Sequence, residues 1–121
     1  MTKYDDNNIF AKILRKEIPN NTIYEDNHVL AFNDINPLTP VHILVTPKGK
    51  YISMTDFTKN ASDQEITALY RAVGKIIDDL DLDKDGYRTM TNTGDFGGQE
   101  VPHFHIHILG GRKLKPCLGN V

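Results

Sequence analysis

The apolar positions of this chain change period along its length, and each change marks an element. Ile9, Phe10, Ile13 and Leu14 recur at helical spacing behind Asn8, whose side chain suits an N-cap, and Pro19 stops the pattern; a short helix is expected over residues 8–16. Two extended runs follow at 22–25 and 29–34, separated by Asp26-Asn27-His28, which has the composition of a hairpin turn. Asn36-Pro37-Leu38-Thr39-Pro40 breaks the chain before a third strand at 42–46, which Pro47 closes. Ser62-Asp63-Gln64-Glu65 is a capping box, and Ile66, Leu69, Tyr70, Val73, Ile76, Ile77 and Leu80 then trace one face of a long helix. Gly74 and the terminal Asp78, Asp79 and Asp81 work against that helix, so burial of its apolar face must outweigh them. Residues 87–93 and 103–109 alternate as strands around the glycine-rich segment Gly94-Asp95-Phe96-Gly97-Gly98-Gln99. Helix, three strands, long helix, two strands is the order of an α+β domain with an antiparallel sheet.

Composition narrows the partners. With 121 residues and 39% hydrophobic content, the chain can bury one continuous core, and a single domain over residues 1–121 is expected, with polar tails at 1–7 and 113–121. Lys and Arg total 14 against 16 for Asp and Glu, which leaves no field to collect nucleic acid, although a mononucleotide can be held by local donors. The N-terminus lacks the apolar run of a signal peptide and no stretch approaches transmembrane length, so a cytoplasmic protein without membrane partners is expected. The single cysteine, Cys117, has no histidine near it in sequence and no reading as a catalytic thiol.

Chemistry concentrates at His103-Phe104-His105-Ile106-His107-Ile108-Leu109. In a strand the three imidazoles share one face and Phe104, Ile106 and Ile108 the other, which belongs to the core. The imidazoles could be tolerated on a solvent face. They could bind metal, but at about 3.3 Å per residue the Cα atoms of His103 and His107 lie roughly 13 Å apart, too far for one straight strand to close three nitrogens on an ion; two of them with His42 could. They could act on phosphorus, because an imidazole with a pKa near 6.5 offers a neutral nucleophilic nitrogen and forms a labile phosphorus–nitrogen adduct. Gly94, Gly97 and Gly98 fit the third reading, since backbone N–H groups there can turn toward an anion, and fit a plain turn equally well. Asp81-Leu82-Asp83-Lys84-Asp85-Gly86 copies the opening of a calcium loop, but its twelfth place is Asn92 and a strand follows, so a helix end and turn is expected.

The run Gly97-Gly98-Gln99-Glu100-Val101-Pro102-His103-Phe104-His105-Ile106-His107-Ile108-Leu109-Gly110-Gly111-Arg112 resembles the signature of the histidine triad family, in its Hint branch. Asp34-Ile35-Asn36-Pro37 through His42 to Pro47-Lys48, and Ile9-Phe10 through Ile18-Pro19, resemble the same family, so the likeness covers about residues 8–112 in order. The resemblance implies a five-stranded antiparallel sheet with one short and one long helix, two sheets joined across a homodimer, and hydrolysis of nucleoside phosphoramidates, purines preferred, through a nucleotidyl-histidine intermediate. It makes His105 the nucleophile, sets His107 on the phosphoryl oxygens or leaving group, and has His103 and His42 orient the site. It puts Asn92, Gly98, Gln99, Glu100 and Val101 near the phosphate, Asp34 on the ribose, and Ile9, Phe10, Ile13, Phe32 and Ile35 around the base. No metal or cofactor is called for.

Each of these residues also has a plainer reading. The apolar ones suit a core, Asp34 suits a local turn, and His42 could be an ordinary satisfied histidine. Glu100 replaces a small hydroxyl residue of animal relatives, Pro102 replaces an aromatic one, and the tail carries no tryptophan. Besides phosphoramidate hydrolysis, a nucleotide-binding interaction module, a metal-dependent hydrolase and a dinucleoside polyphosphate hydrolase remain open.

Overall fold

The computed structural model describes residues 3–117. Its elements are α1 (Ile9–Leu14), β1 (Thr22–Glu25), β2 (Val29–Asn33), β3 (Val41–Pro47), α2 (Met54–Asn60), α3 (Asp63–Asp79), β4 (Arg88–Met90) and β5 (Ile106–Gly110). The five strands form one antiparallel sheet in the order β1-β2-β3-β5-β4. Helices cover both faces, which is why β2 and β3 are buried almost throughout instead of alternating.

Alternate residues of each strand divide between two cores. Val29, Ala31, Ile43, Val45, Ile106 and Ile108 pack with Leu69, Ala72, Val73, Ile76 and Ile77 of α3. Leu30, Phe32 and Leu44 point the other way and pack with Phe10 and Ile13 of α1. Neighbouring strands keep the faces in register, so Phe32, Leu44 and His107 line up across three strands on the α1 side.

The helix ends follow their sequence signals. The Asn8 side chain accepts from Ala11 N–H at 2.9 Å, and Ser62 and Glu65 cap α3 reciprocally. At the other end of α3, Asp81 adopts φ 55°, its N–H donates to Asp78 O, and Leu82 N–H reaches back to Ile77 O. That is a Schellman stop, closed by the buried Leu82, and it accounts for the calcium-like run as the end of a helix.

Three elements differ from the sequence expectation. Helix α2 is an addition: Ser53 caps it by accepting from Asp56 N–H, and Phe57 is its buried residue. One apolar anchor in seven residues carries no helical period. The strand expected at 103–109 joins the ladder only from Ile106, whose partner is Val45. Pro47 ends β3 without an N–H to extend the pairing, and its carbonyl accepts from the His103 ring instead. The strand expected at 87–93 likewise shortens to Arg88–Met90. The separation of faces survives: Phe104 joins the α3-side core while Phe10 of α1 lies edge-on to His103 and His105.

Candidate functional site

Four histidines gather on the α1 side of the sheet, and hydrogen-bond partners set the proton position on each ring. His105 is 7% exposed; its Nδ1 lies 2.7 Å from the His103 carbonyl, which can only accept. Nδ1 therefore carries the proton and Nε2 keeps a free lone pair. Thr91 Oγ1 donates to the His105 carbonyl at 2.8 Å, and the Phe10 ring stands edge-on at 4.9 Å, so main chain and ring are both constrained.

His107 receives the opposite assignment. The His42 Nδ1 accepts from Leu38 N–H at 3.0 Å, so the His42 proton sits on Nε2, which lies 2.9 Å from His107 Nδ1. His107 Nδ1 must accept, which leaves an N–H on its Nε2. The His105 and His107 rings lie 5.0 Å apart. One thus offers a lone pair and its neighbour a donor. His103 is fully buried, with Nε2 donating to Pro47 O at 2.8 Å and Nδ1 2.6 Å from the Tyr4 hydroxyl.

Burial keeps these rings neutral. It brings His103 to about 4, helped by His105 and opposed by the bond to Pro47. Burial, then His105 and His42, bring His107 to about 4 against a pull upward from Asp34. His105 and His42 are also lowered by burial; the bond to the His103 carbonyl, Asp34 and Glu100 oppose it at His105, and Asp34 opposes it at His42.

Asp34 Oδ1 accepts from Asn36 N–H at 2.9 Å, the local turn bond, while Oδ2 lies 3.5 Å from His42 Nε2. Ligand atoms of Asp34, His42 and His107 all fall within 4.8 Å of one another. A metal-bound imidazole donates its second N–H outward, but His42 Nδ1 already accepts from Leu38, so coordination through Nε2 would have to break that bond. The tautomers suit phosphorus chemistry better than metal.

The glycine-rich loop folds on itself before reaching the triad. Gly98 and Gln99 N–H donate to Asp95 and Gly94 carbonyls. The Gln99 side chain accepts from Gly94 N–H and donates to Ile52 O and Val101 O, which staples the loop. Glu100 and Val101 N–H have no acceptor among the described residues. Asn92 is half-buried beside the loop, and Glu100 is exposed. Of the apolar set, Phe10, Ile13 and Phe32 are buried under α1, whereas Ile9 and Ile35 are exposed, Ile35 at 86%.

Residues 15–114 match the family model described as HIT domain. The chain belongs to the HIT family. It is 50% identical over 115 residues to an uncharacterised HIT-like protein of Azospirillum brasilense, covering 95% of this chain and 94% of that protein. It is 41% identical over 112 residues to the purine nucleoside phosphoramidase of Escherichia coli K12, covering 93% of each. A HIT family hydrolase from Legionella pneumophila superposes with a TM-score of 0.85 at 35% identity, covering 93% of this chain and all of that one. A histidine triad protein from Clostridium difficile superposes at 0.81 with 44% identity, covering 96% and 98%. The α+β fold thus agrees with the HIT relatives.

Sequence reasoning missed Tyr4. It was assigned to a polar tail, yet residues of that segment are tied down: Asp6 pairs with Lys50 at 2.8 Å, and Arg15 Nη1 donates to Asp6 O at 2.8 Å. Its 99-residue separation from His103 leaves no local signal. The tail residues beyond Cys117 lie outside the described residues. No helix among those described is long and apolar enough to cross a membrane.

Proposed function

We propose that this protein hydrolyses nucleoside 5'-phosphoramidates, purine nucleosides preferred, through a nucleotidyl intermediate on His105. The observation that carries the reading is the pair of opposite tautomers: His105 has its proton committed to the His103 carbonyl and Nε2 open, while His42 leaves His107 with an outward N–H. The 41% identity to a purine nucleoside phosphoramidase supports the choice of substrate.

The phosphoryl group binds against the Glu100 and Val101 N–H groups, which have no acceptor among the described residues, and the His107 Nε2–H. Its negative charge raises the pKa of His107, which takes up a proton on Nδ1 at the expense of the bond from His42 Nε2–H. His105 Nε2 attacks phosphorus as the phosphorus–nitrogen bond breaks, and His107 delivers its Nε2 proton to the departing amine. Water then attacks the phosphorus, its proton returns to His107, and the electron pair of the adduct bond goes back to His105 Nε2. The products are nucleoside monophosphate and amine. Asp34, with Ile9, Phe10, Ile13, Phe32 and Ile35, serves the ribose and base, and Asn92, Gly98 and Gln99 shape the phosphate end. His103 and His42 orient the reacting rings.

The reading includes a homodimer with joined sheets; β4 is an edge strand among those described, and a light-scattering mass of one chain would exclude joining there. The test is turnover of adenosine phosphoramidate by purified protein after strong chelation. Wild type should release the monophosphate, whereas His105→Ala should lose about 10⁴-fold in kcat and still bind the monophosphate. Binding without turnover in either protein would make it an interaction module. Turnover restored only by added metal would make it a metal-dependent hydrolase, and cleavage of dinucleoside polyphosphate alone would move the substrate class.

A further inference from the structure

We propose that Tyr4 is a positioning residue for the His105 nucleophile, acting through His103; the catalytic part of the proposal rests on the phosphoramidate reading. The Tyr4 hydroxyl lies 2.6 Å from His103 Nδ1, and the two rings meet edge-on at 5.7 Å. Because Pro47 O accepts from His103 Nε2, the Nδ1 atom holds a lone pair and the tyrosine O–H is its donor. His103 is 0% exposed, so water does not replace that donor without rearrangement. The ring is thus pinned between the end of β3 and the N-terminal segment, and the carbonyl of the same residue takes the His105 Nδ1 proton at 2.7 Å. Tyr4 and His105 both donate to His103, the first to its ring and the second to its carbonyl, so the two are linked through one residue.

The segment is built to present the hydroxyl. Asn8, the cap of α1, reaches back to the Asp5 carbonyl through both its main-chain N–H, at 3.1 Å, and its side-chain amide, at 2.8 Å. Asp6 is held by Lys50 and Arg15 on either side. Loss of the hydroxyl leaves a buried lone pair on His103, and the ring relaxes to find another donor, moving the carbonyl that orients His105. The effect falls on the reacting ring and not on the nucleotide contacts, so it is read in kcat and not in KM.

The full-length wild type and Tyr4→Phe are compared by kinetics with adenosine phosphoramidate and by ¹⁵N spectra of the histidine rings. The expected result is a kcat lower by about tenfold, KM within about twofold, and a His103 Nδ1 signal moved toward that of a free lone pair. Unchanged kcat overturns the proposal even where melting temperature falls, because that outcome leaves Tyr4 as an anchor alone. Wild-type protein that does not turn the substrate over refutes the phosphoramidate reading instead. The positioning claim is then decided by carbethoxylation of His105 with diethyl pyrocarbonate, followed by peptide mass: a rate several-fold lower in Tyr4→Phe supports it, and equal rates overturn it.

Discussion

The sheet face beneath α3 and the face beneath α1 are made from alternate residues of the same strands, yet they are held in different ways. Beneath α3, Val29, Ile43, Val45, Ile106 and Ile108 meet Leu69, Val73 and Ile76 through apolar contact, which is non-directional and tolerates any packing of similar volume. Beneath α1, His42, His103 and His105 are buried as well, but each ring nitrogen facing the protein has a named partner. Among the described residues no buried side-chain nitrogen or oxygen lacks one. The first face sets stability. The second stores orientation, at a cost in desolvation that depends on pH.

Substitutions should separate the two. The largest stability effect is expected on the apolar face: Ile76→Ala, at a side chain 2% exposed, should cost about 2–5 kcal/mol in denaturant unfolding while kcat of the folded protein stays within about twofold. A comparable loss of activity would mean that the faces are not independent. Next is acid sensitivity of the histidine face. His103 titrates near 4 when folded and near 6.5 when unfolded, so between those values the unfolded chain binds the extra proton; its contribution is complete above about 6.5 and declines as pH falls toward 4, by on the order of 3 kcal/mol. Melting curves from pH 7 to 4 should show that decline, and His103→Asn should remove the His103 share of it while the share of His107, also brought to about 4, remains. The smallest effect is catalytic: His42→Ala frees His107 to change tautomer and should lower kcat by about 10–100-fold with nucleotide affinity preserved, by analogy with outer partners of metal-ligating histidines. A KM change alone would assign His42 to binding.

The legible parts of this molecule were those with a local signal. The capping box of Ser62 and Glu65 and the apolar face behind it located α3, and the alternation of Phe104, Ile106 and Ile108 with the histidines separated the two faces. Helix α2 had only Met54 and Phe57 to betray it, and Met54 is exposed, although Ser53 followed by Asp56 is a capping pattern that a search for N-caps would find. The start of β5 shifted because ladder pairing depends on the partner strand, and Pro47 at the end of β3 could not extend it. Resemblance pointed to the histidines, but their tautomers depend on Leu38, Pro47 and Tyr4, which lie far from residues 103–107 in sequence or leave no pattern in it. Gln99 illustrates the limit. A residue expected at the phosphate uses its side chain to staple the loop, and only its three-dimensional partners reveal that.

The central claim is that His105 Nε2 forms a bond to phosphorus. Rapid mixing of wild-type protein with adenosine phosphoramidate, quenched without acid and digested, should give the peptide containing His105 heavier by one adenylyl group during turnover, and unmodified once substrate is exhausted. Product formed at full rate with that peptide never modified, or with the adduct on another residue, would contradict the account.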